Sequence, residues 1–223
     1  MQTTKFPGIF ESQVGRKRIL LTKNFVKGKK VYDEYLHTEG PIEYREWNAS
    51  KSKLCAAILK NINQIGIKPG DIVLYLGASS GTTPSHVSDI VGSEGFVFGL
   101  DFAPRVVRDL VFLAKDRKNL APILADANKP ETYADRISTV DVVYMDIAQK
   151  NQTEIFLKNC NLFLKPDGYA LLAIKARSID VTKRPSIIFE EVRRLLEREM
   201  KLIDYKTLDP FQLDHMMFIC KKK

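Results

Sequence analysis

The sequence lacks the features that mark membrane, exported and metal-binding proteins. No apolar run approaches the roughly 18 residues that cross a bilayer, and the first residues contain no apolar core of an export signal. A cytoplasmic protein is therefore expected. Cysteine is scarce: Cys55, Cys160 and Cys220 lie far apart among apolar neighbours, which predicts buried free thiols of a reducing compartment. With only three histidines and no C-x-x-C pair, no metal site is expected.

Two common phosphate-binding motifs are also missing, the G-x-G-x-x-G of dinucleotide-binding domains and the Gly-Lys-Ser/Thr ending of a P-loop. The chain has instead an apolar run from Asp71 that ends in a small loop bounded by Gly77 and Gly81 and is followed by a helix-like segment. This pattern is typical of the first βα turn of a nucleotide-type α/β domain. A ligand without a pyrophosphate fits this loop better than NAD, and S-adenosylmethionine is the commonest such ligand. A plain strand-turn-helix connection is the alternative.

A carboxylate follows the next apolar run at a suitable distance. That run begins at Gly95 and ends in Asp101, about twenty residues after the loop. An acid at the tip of the second strand can accept both hydrogen bonds of a ribose diol. A solvated strand end or a helix cap is the structural alternative, but the spacing after the glycine loop favours a ligand.

The charge of the chain points to a polyanionic partner. Hydrophobic residues at 44% and charged residues at 28% describe an ordinary globular protein, yet the formal net charge is +8. An excess of this size favours nucleic acid as a partner, although each basic cluster alone is also compatible with a solvated face. The clusters are Arg16-Lys17-Arg18, Lys27 to Lys30, Lys115 to Lys118, Lys183-Arg184, Arg193-Arg194 and Lys221 to Lys223.

Most of the chain alternates between strand and helix patterns. Strands are predicted at 71–76, 95–100, 121–125, 140–146 and 168–175, and helices at 82–91, 104–117, 151–164 and 186–199. Two final runs, 201–208 and 215–220, predict a hairpin that places an antiparallel strand in the sheet. This predicts an α/β fold of the Rossmann-like class I methyltransferase type, with a seven-stranded, mostly parallel sheet.

A different pattern precedes this α/β region. Residues 1–50 contain short runs of period two separated by glycines, which predicts a small antiparallel β domain that packs directly on a methyltransferase domain of residues 51–223. Between the two, a helix is predicted from an N-cap at Ser50 to about Gln64. Its buried side is expected to consist of Leu54, Ala57, Ile58 and Ile62.

Four polar residues stand where chemistry is expected. Asp146 follows the fourth strand of the α/β region, next to the glycine loop, and Lys175 ends the fifth strand. Because lysine is rarely buried without a partner, Asp146 is the expected partner of Lys175. His215 opens the last strand and Lys53 lies on the helix that leads into the domain. A structural ion pair, a core histidine and a surface lysine are the alternatives.

Seven runs, in the same order, resemble fibrillarin. The absence of a glycine-rich amino-terminal extension makes the chain most similar to the archaeal fibrillarin-like proteins. The runs are Glu43-Tyr-Arg-Glu-Trp47, Ser52-Lys-Leu54, Leu74-Tyr-Leu-Gly-Ala-Ser-Ser-Gly-Thr-Thr83, Ser85-His-Val-Ser-Asp-Ile-Val-Gly92, Asp141-Val-Val-Tyr-Met-Asp-Ile-Ala-Gln149, Ile174-Lys-Ala176 and Asp214-His215.

The resemblance implies 2′-O-methylation of ribose in pre-rRNA, with tRNA as a second candidate substrate and S-adenosylmethionine as donor. The family's catalytic tetrad corresponds to Lys53, Asp146, Lys175 and His215, and Lys175 is expected to be the proton acceptor or the oxyanion stabiliser. The Asp101-Phe102 pair departs from the Glu-Phe that the family usually has, which shortens the carboxylate's reach. The cofactor-binding set, from the loop and the resemblance together, is Gly77, Ala78, Gly81, Thr82, Thr83, Asp101, Phe102, Asp126, Ala127, Asp146, Ile147, Ala148 and Gln149.

The resemblance also implies partners in an archaeal RNA–protein particle. These are a C/D-box guide RNA with its substrate RNA, a Nop-family scaffold protein and a kink-turn-binding ribosomal-type protein. No RRM-like or KH-like run is present, and base pairing with a guide would supply the sequence recognition. The alternatives are a stand-alone RNA methyltransferase and a non-catalytic scaffold subunit of an RNA particle. An NAD oxidoreductase is disfavoured by the loop and the final hairpin.

Overall fold

A small antiparallel sheet forms the amino-terminal part of the protein. The computed structural model describes residues 1–15 and 17–223, so Arg16 of the first basic cluster lies outside the described residues. The strands of this sheet have the order β1-β2-β3-β5-β4, which confirms the predicted antiparallel β unit. They are β1 (Gln2–Thr3), β2 (Ile9–Val14), β3 (Lys17–Lys23), β4 (Leu36–Glu39) and β5 (Ile42–Trp47).

A larger sheet of seven strands carries the rest of the chain. Its order is β11-β12-β10-β9-β6-β7-β8, and β12 runs antiparallel to both of its neighbours while the other pairs are parallel. The predicted seven-stranded sheet with one reversed strand is therefore confirmed. Its strands are β6 (Ile72–Leu76), β7 (Phe96–Asp101), β8 (Leu120–Leu124), β9 (Val140–Met145), β10 (Leu164–Lys175), β11 (Lys201–Thr207) and β12 (His215–Lys221).

Helices cover both faces of this sheet, as the near-continuous apolar strands require. In β6, Val73 and Tyr75 join one apolar core while Leu74 and Leu76 join the other, because successive side chains of a strand point to opposite faces. The helices are α1 (Lys53–Leu59), α2 (Thr82–Val91), α3 (Pro104–Asp116), α4 (Gln152–Phe163), α5 (Ala176–Ile179) and α6 (Pro185–Glu199). A 3-10 helix at Pro130–Arg136 and the short α5 were not predicted.

The helix α1 differs from its prediction at both ends. Ser52, not Ser50, is the N-cap, and its side chain accepts a hydrogen bond from the backbone N–H of Cys55. The helix ends at Leu59 instead of Gln64, because Asn61 has a φ of 58°, in the left-handed region that an α-helix cannot use. The expected buried positions Leu54, Ala57, Ile58 and Ile62 are all buried.

A buried charge network joins the small sheet to α2 and to the segment after α3. Arg45 on β5 donates to Asp89 on α2 at 2.8 Å and to Glu34 at 2.9 Å. Arg117, after α3, donates to the other oxygen of Asp89 at 2.6 Å. The small sheet therefore packs directly on α2 of the larger α/β region, whereas a domain boundary near residue 50 stays a prediction.

The three cysteines are buried and free, as predicted. Burial raises the pKa of all three thiols, to about 12 for Cys220. Among the described residues, no helix is long and apolar enough to span a membrane.

Candidate active site

The carboxyl ends of β6 and β9 meet at the point where the strand order reverses. The chain proceeds from β6 to β7 and β8 on one side, then returns to β9 and β10 on the other. Gly77, after β6, has a φ of 84°, and a Cβ added there would lie 2.3 Å from the backbone oxygen of Asp146. The glycine loop therefore permits a close approach of two strand ends, and ligands bind in crevices at such switch points.

Two adjoining clefts open at this edge of the sheet. The first, called the tetrad cleft, has a volume of about 440 Å³ and is bordered by Lys53, Asp146, Lys175 and His215. The second, called the cofactor cleft, lies beside it along the ends of β7 and β8. The clefts share Gly77, Ser79, Asp146, Ile147 and Ala148.

The structure brings nearly all of the predicted cofactor-binding residues to these clefts. Ala78, Thr82 and Thr83 border the tetrad cleft alone. The cofactor cleft alone is bordered by Asp101, Phe102, Asp126, Ala127 and Gln149.

Gly81 borders neither cleft. It has a φ of 98° and lies against α3, where an added Cβ would stand 2.4 Å from Leu113 and 2.9 Å from Leu110. Its position is explained by the packing of the α2 start against α3, and its contact with a cofactor stays a prediction.

Asp101 is held in place by the two loops around it. One carboxylate oxygen accepts the backbone N–H of Ser79 at 2.9 Å, and the other accepts that of Ala103 at 3.1 Å. Phe102 beside it is 66% exposed. A fixed acceptor carboxylate next to apolar surface suits a ligand that combines a ribose diol with a flat base. The acids Asp101, Asp126 and Asp146 also complement the positive charge of a sulfonium, so the cleft fits S-adenosylmethionine.

The ion pair of the tetrad cleft differs from the predicted one. Lys53 Nζ lies 2.9 Å from each carboxylate oxygen of Asp146, whereas Lys175 was the expected partner. Lys175 is exposed and makes no ion pair with a described residue. The reason is geometric: α1 aims Lys53 across the sheet ends at Asp146, while Lys175 ends β10 in the open part of the cleft.

The surroundings of His215 favour its neutral imidazole form. It lies directly opposite Lys175 in the β10–β12 pairing, and its Nδ1–H donates to the backbone oxygen of Leu213 at 2.7 Å. Burial lowers the pKa of His215, and the charges of Lys53 and Lys175 lower it further, against the Leu213 hydrogen bond and Asp146. The Nε2 atom is left as a hydrogen-bond acceptor in the cleft.

Other residues of the tetrad cleft were missed by the sequence reasoning. Lys51, Tyr75, Ser79 and Gln212 border it. Tyr75 lies in the predicted strand and Ser79 in the loop that follows it, so their positions in the sequence were the available signal. Gln212 comes three residues before His215, but nothing in the local sequence indicates that it reaches back to the start of α1.

Known proteins are similar to this chain in sequence. The family model described as fibrillarin matches residues 1–223. The chain is 51% identical over 217 residues to the fibrillarin-like rRNA/tRNA 2′-O-methyltransferase of Methanocaldococcus jannaschii, covering 96% of this chain and 94% of that protein.

Two solved structures are also similar over most of the chain. The fibrillarin of Aeropyrum pernix, in complex with natively bound S-adenosyl-L-methionine, has a TM-score of 0.90 and 43% identity, with 98% of this chain and 96% of that chain covered. A fibrillarin/Nop5p complex has a TM-score of 0.85 and 38% identity, with 92% and 94% covered.

Proposed function

Because the chain belongs to the fibrillarin family, we propose that it is an S-adenosylmethionine-dependent RNA 2′-O-methyltransferase and the catalytic subunit of a C/D-box RNA–protein particle. The observation that carries the proposal is the meeting of the Lys53–Asp146 pair, Lys175 and His215 in one cleft that adjoins a cleft suited to the donor. The similarity to a methyltransferase of Methanocaldococcus jannaschii supports the reaction.

The donor would lie across both clefts. Asp101 would accept the ribose hydroxyls, Phe102 and Ala127 would contact the base, and Asp126 would face its amino group. Asp146, at the junction of the clefts, would stand beside the reacting centre. When bound, S-adenosylmethionine supplies a methyl group that its sulfonium already activates.

The residues of the tetrad cleft would prepare the ribose hydroxyl for transfer. His215, neutral and with Nε2 as an acceptor, would take the proton of the 2′-hydroxyl as the new O–CH3 bond forms and the S–CH3 bond breaks. Lys175, exposed at the cleft, would donate a hydrogen bond to the same oxygen and stabilise the charge that develops on it. Of its two predicted roles, oxyanion stabiliser is therefore the one proposed.

Lys53 and Asp146 would hold the geometry of the site. Their contact joins α1 to the end of β9 at 2.9 Å, so Asp146 is fixed between the two clefts. Alignment of oxygen, methyl carbon and sulfur depends on such fixed groups, since misplacement by about 1 Å can cost roughly a hundredfold in rate.

Target choice would be delegated to a guide RNA, which pairs with the substrate and leaves the protein to contact the backbone. The net charge of +8 suits this task. A Nop-family scaffold is the proposed protein partner, supported by the similarity to the fibrillarin/Nop5p complex. A kink-turn-binding ribosomal-type protein completes the proposed particle, on the strength of the family resemblance.

The test is transfer of labelled methyl from S-adenosylmethionine to a guide-paired RNA, with the protein alone and with scaffold, kink-turn protein and guide. Resistance to alkali at one guide-specified linkage, only in the full assembly, is the expected result. Label on free RNA without a guide would replace the proposal with a stand-alone enzyme. Donor binding without transfer in any mixture would leave a non-catalytic subunit.

A further inference from the structure

The loop Leu208–Asp214, between β11 and β12, holds one side of the tetrad cleft. The backbone oxygen of Asp214 accepts the N–H of Ala176 at 3.0 Å, directly after Lys175. The backbone oxygen of Leu213 accepts Nδ1–H of His215 at 2.7 Å. His215 and the residue that follows Lys175 are thus tied to this loop through hydrogen bonds to its backbone.

The same loop reaches the opposite side of the cleft through the side chain of Gln212. Its Nε2 lies 3.0 Å from the backbone oxygen of Ala49 and 2.6 Å from that of Ser50. Because both partners are carbonyl oxygens, the amide must direct its NH2 group at them. The contact spans 163 residues in the chain, and it fixes the segment that enters α1.

That segment determines where Lys53 lies. Lys53 is the first residue of α1, three positions after Ser50, and α1 has only seven residues. Helices this short are marginal without tertiary support. Besides the Lys53–Asp146 pair itself, a second tether of this region is the hydrogen bond from Thr83 Oγ1 to Ser52 Oγ at 3.1 Å. Loss of Gln212 alone would therefore loosen the start of α1 and leave it attached.

We infer that Gln212 is a positioning residue for the methyl transfer, which acts by holding Lys53 against Asp146. This inference rests on the proposed function. Gln212 contacts none of the tetrad side chains by hydrogen bond, so its effect must pass through the backbone of Ala49 and Ser50. The loop then sets the spacing of Lys53, Lys175 and His215 as one unit.

The first test is a double-mutant cycle between Gln212 and Lys53 in the assembled particle. Gln212→Met keeps the shape of the side chain and removes the donor, and we expect it to slow single-turnover transfer roughly tenfold to a hundredfold. Because the effect passes through Lys53, it is expected to disappear in a Lys53→Met background. The same factor in both backgrounds would overturn the inference. Gln13→Met, at an exposed site on β2, is the matched control and should leave the rate unchanged.

The second test needs no turnover. The groups that act on His215 in the cleft are Lys53, Asp146 and Lys175. If Gln212→Met releases Lys53, the pKa of His215 should rise in an NMR titration of the free protein, because a cation that lowers it has moved away. An unchanged titration, with a folded spectrum, would refute the positioning role.

These two tests separate the inference from the proposed function. If the wild-type particle transfers no methyl group, the proposed function is rejected, while the titration still tests the positioning role of Gln212. A wild-type particle that transfers methyl, with an unaffected Gln212→Met variant, would remove only the positioning role.

Discussion

Lys53 Nζ lies 2.9 Å from both carboxylate oxygens of Asp146, although 93 residues separate them in the chain. The pair is partly buried, with 22% and 21% of the two side chains exposed. It connects the helix that enters the α/β region with the strand end at which the two clefts adjoin. Any change that breaks this pair is therefore expected to alter the reaction more than the fold.

Asp146→Asn tests that expectation. The amide keeps the shape but removes the charge that holds Lys53, and we expect the transfer rate in the full assembly to fall by about a hundredfold to a thousandfold. Asp135→Asn, at a side chain that is 86% exposed, is the control and should be silent. Single-turnover kinetics and urea unfolding would be measured together. A near-normal rate for Asp146→Asn would reject the proposed site.

The pH dependence of transfer should report on His215. Its pKa is lowered by burial and by the neighbouring cations, so the imidazole stays neutral, and able to accept a proton, at pH values where an ordinary histidine is charged. The transfer rate should therefore stay constant as the pH falls to about 6.5, the ordinary pKa of histidine, and decline only at lower pH.

Two variants test whether the acid limb of this pH profile reports the titration of His215. Lys53→Met removes a charge that lowers the pKa of His215, so the acid limb should move to higher pH. His37→Gln, on β4 and paired with Glu46, should not move it. A limb centred at or above about 6.5 in the wild-type protein would contradict the proposed proton acceptor.

The Arg45–Asp89–Arg117 network should dominate the stability of the junction between the small sheet and α2. Asp89 is fully buried between the two guanidinium groups. Asp89→Asn would leave the buried Arg117 without its carboxylate partner and Arg45 with Glu34 alone, and removing one member of a buried pair costs about 3–5 kcal/mol. Urea unfolding at pH 7 measures this, with Asp135→Asn as the exposed control. A loss below about 1 kcal/mol would show that Glu34 and the neighbouring serines compensate both guanidinium groups without Asp89.

The approach of β6 and β9 can be tested with two glycines of similar backbone conformation. Gly77 has a φ of 84° with the Asp146 oxygen 2.3 Å from an added Cβ, while Gly28 has a φ of 80° with nothing within 4 Å. Gly28→Ala should lower the free energy of unfolding only by the cost of placing alanine in the left-handed conformation, about 1–2 kcal/mol. Gly77→Ala should cost about 1–3 kcal/mol more through overpacking, and it should weaken donor binding measured by calorimetry. Equal losses in unfolding free energy would mean that the loop yields without strain.

The α/β architecture was predictable because its signals are local. Apolar runs such as 71–76 and 140–146 fall on β6 and β9, and the glycine loop marks the start of α2 to the residue. Periodicity and turn chemistry act over a few residues, so the chain itself contains the information. The clustering of Asp146 and Lys175 followed from the same reasoning, because the carboxyl ends of parallel strands share one edge. His215 was grouped with them through the family resemblance, and the structure places it opposite Lys175 because β12 runs antiparallel to β10.

The N-cap of α1 shows where local signals end. Ser50 and Ser52 are equally suited to cap a helix by residue type. Contacts from distant parts of the chain decide between them: Thr83 donates to the Ser52 hydroxyl, and the Gln212 amide binds the backbone oxygen of Ser50. A choice made by partners more than thirty residues away cannot be found in a local pattern.

The sequence by itself determined the fold class, the loop at the switch point and the identity of the polar residues at the sheet edge. Only the tertiary structure decided their partners: Asp146 pairs with Lys53 instead of Lys175, and Gln212 lies within reach of the start of α1. The physical reason is one of range. Hydrophobic periodicity and backbone preference act between neighbours in the chain, whereas an ion pair or a side-chain amide selects whichever group the packed helices and strands bring within about 3 Å.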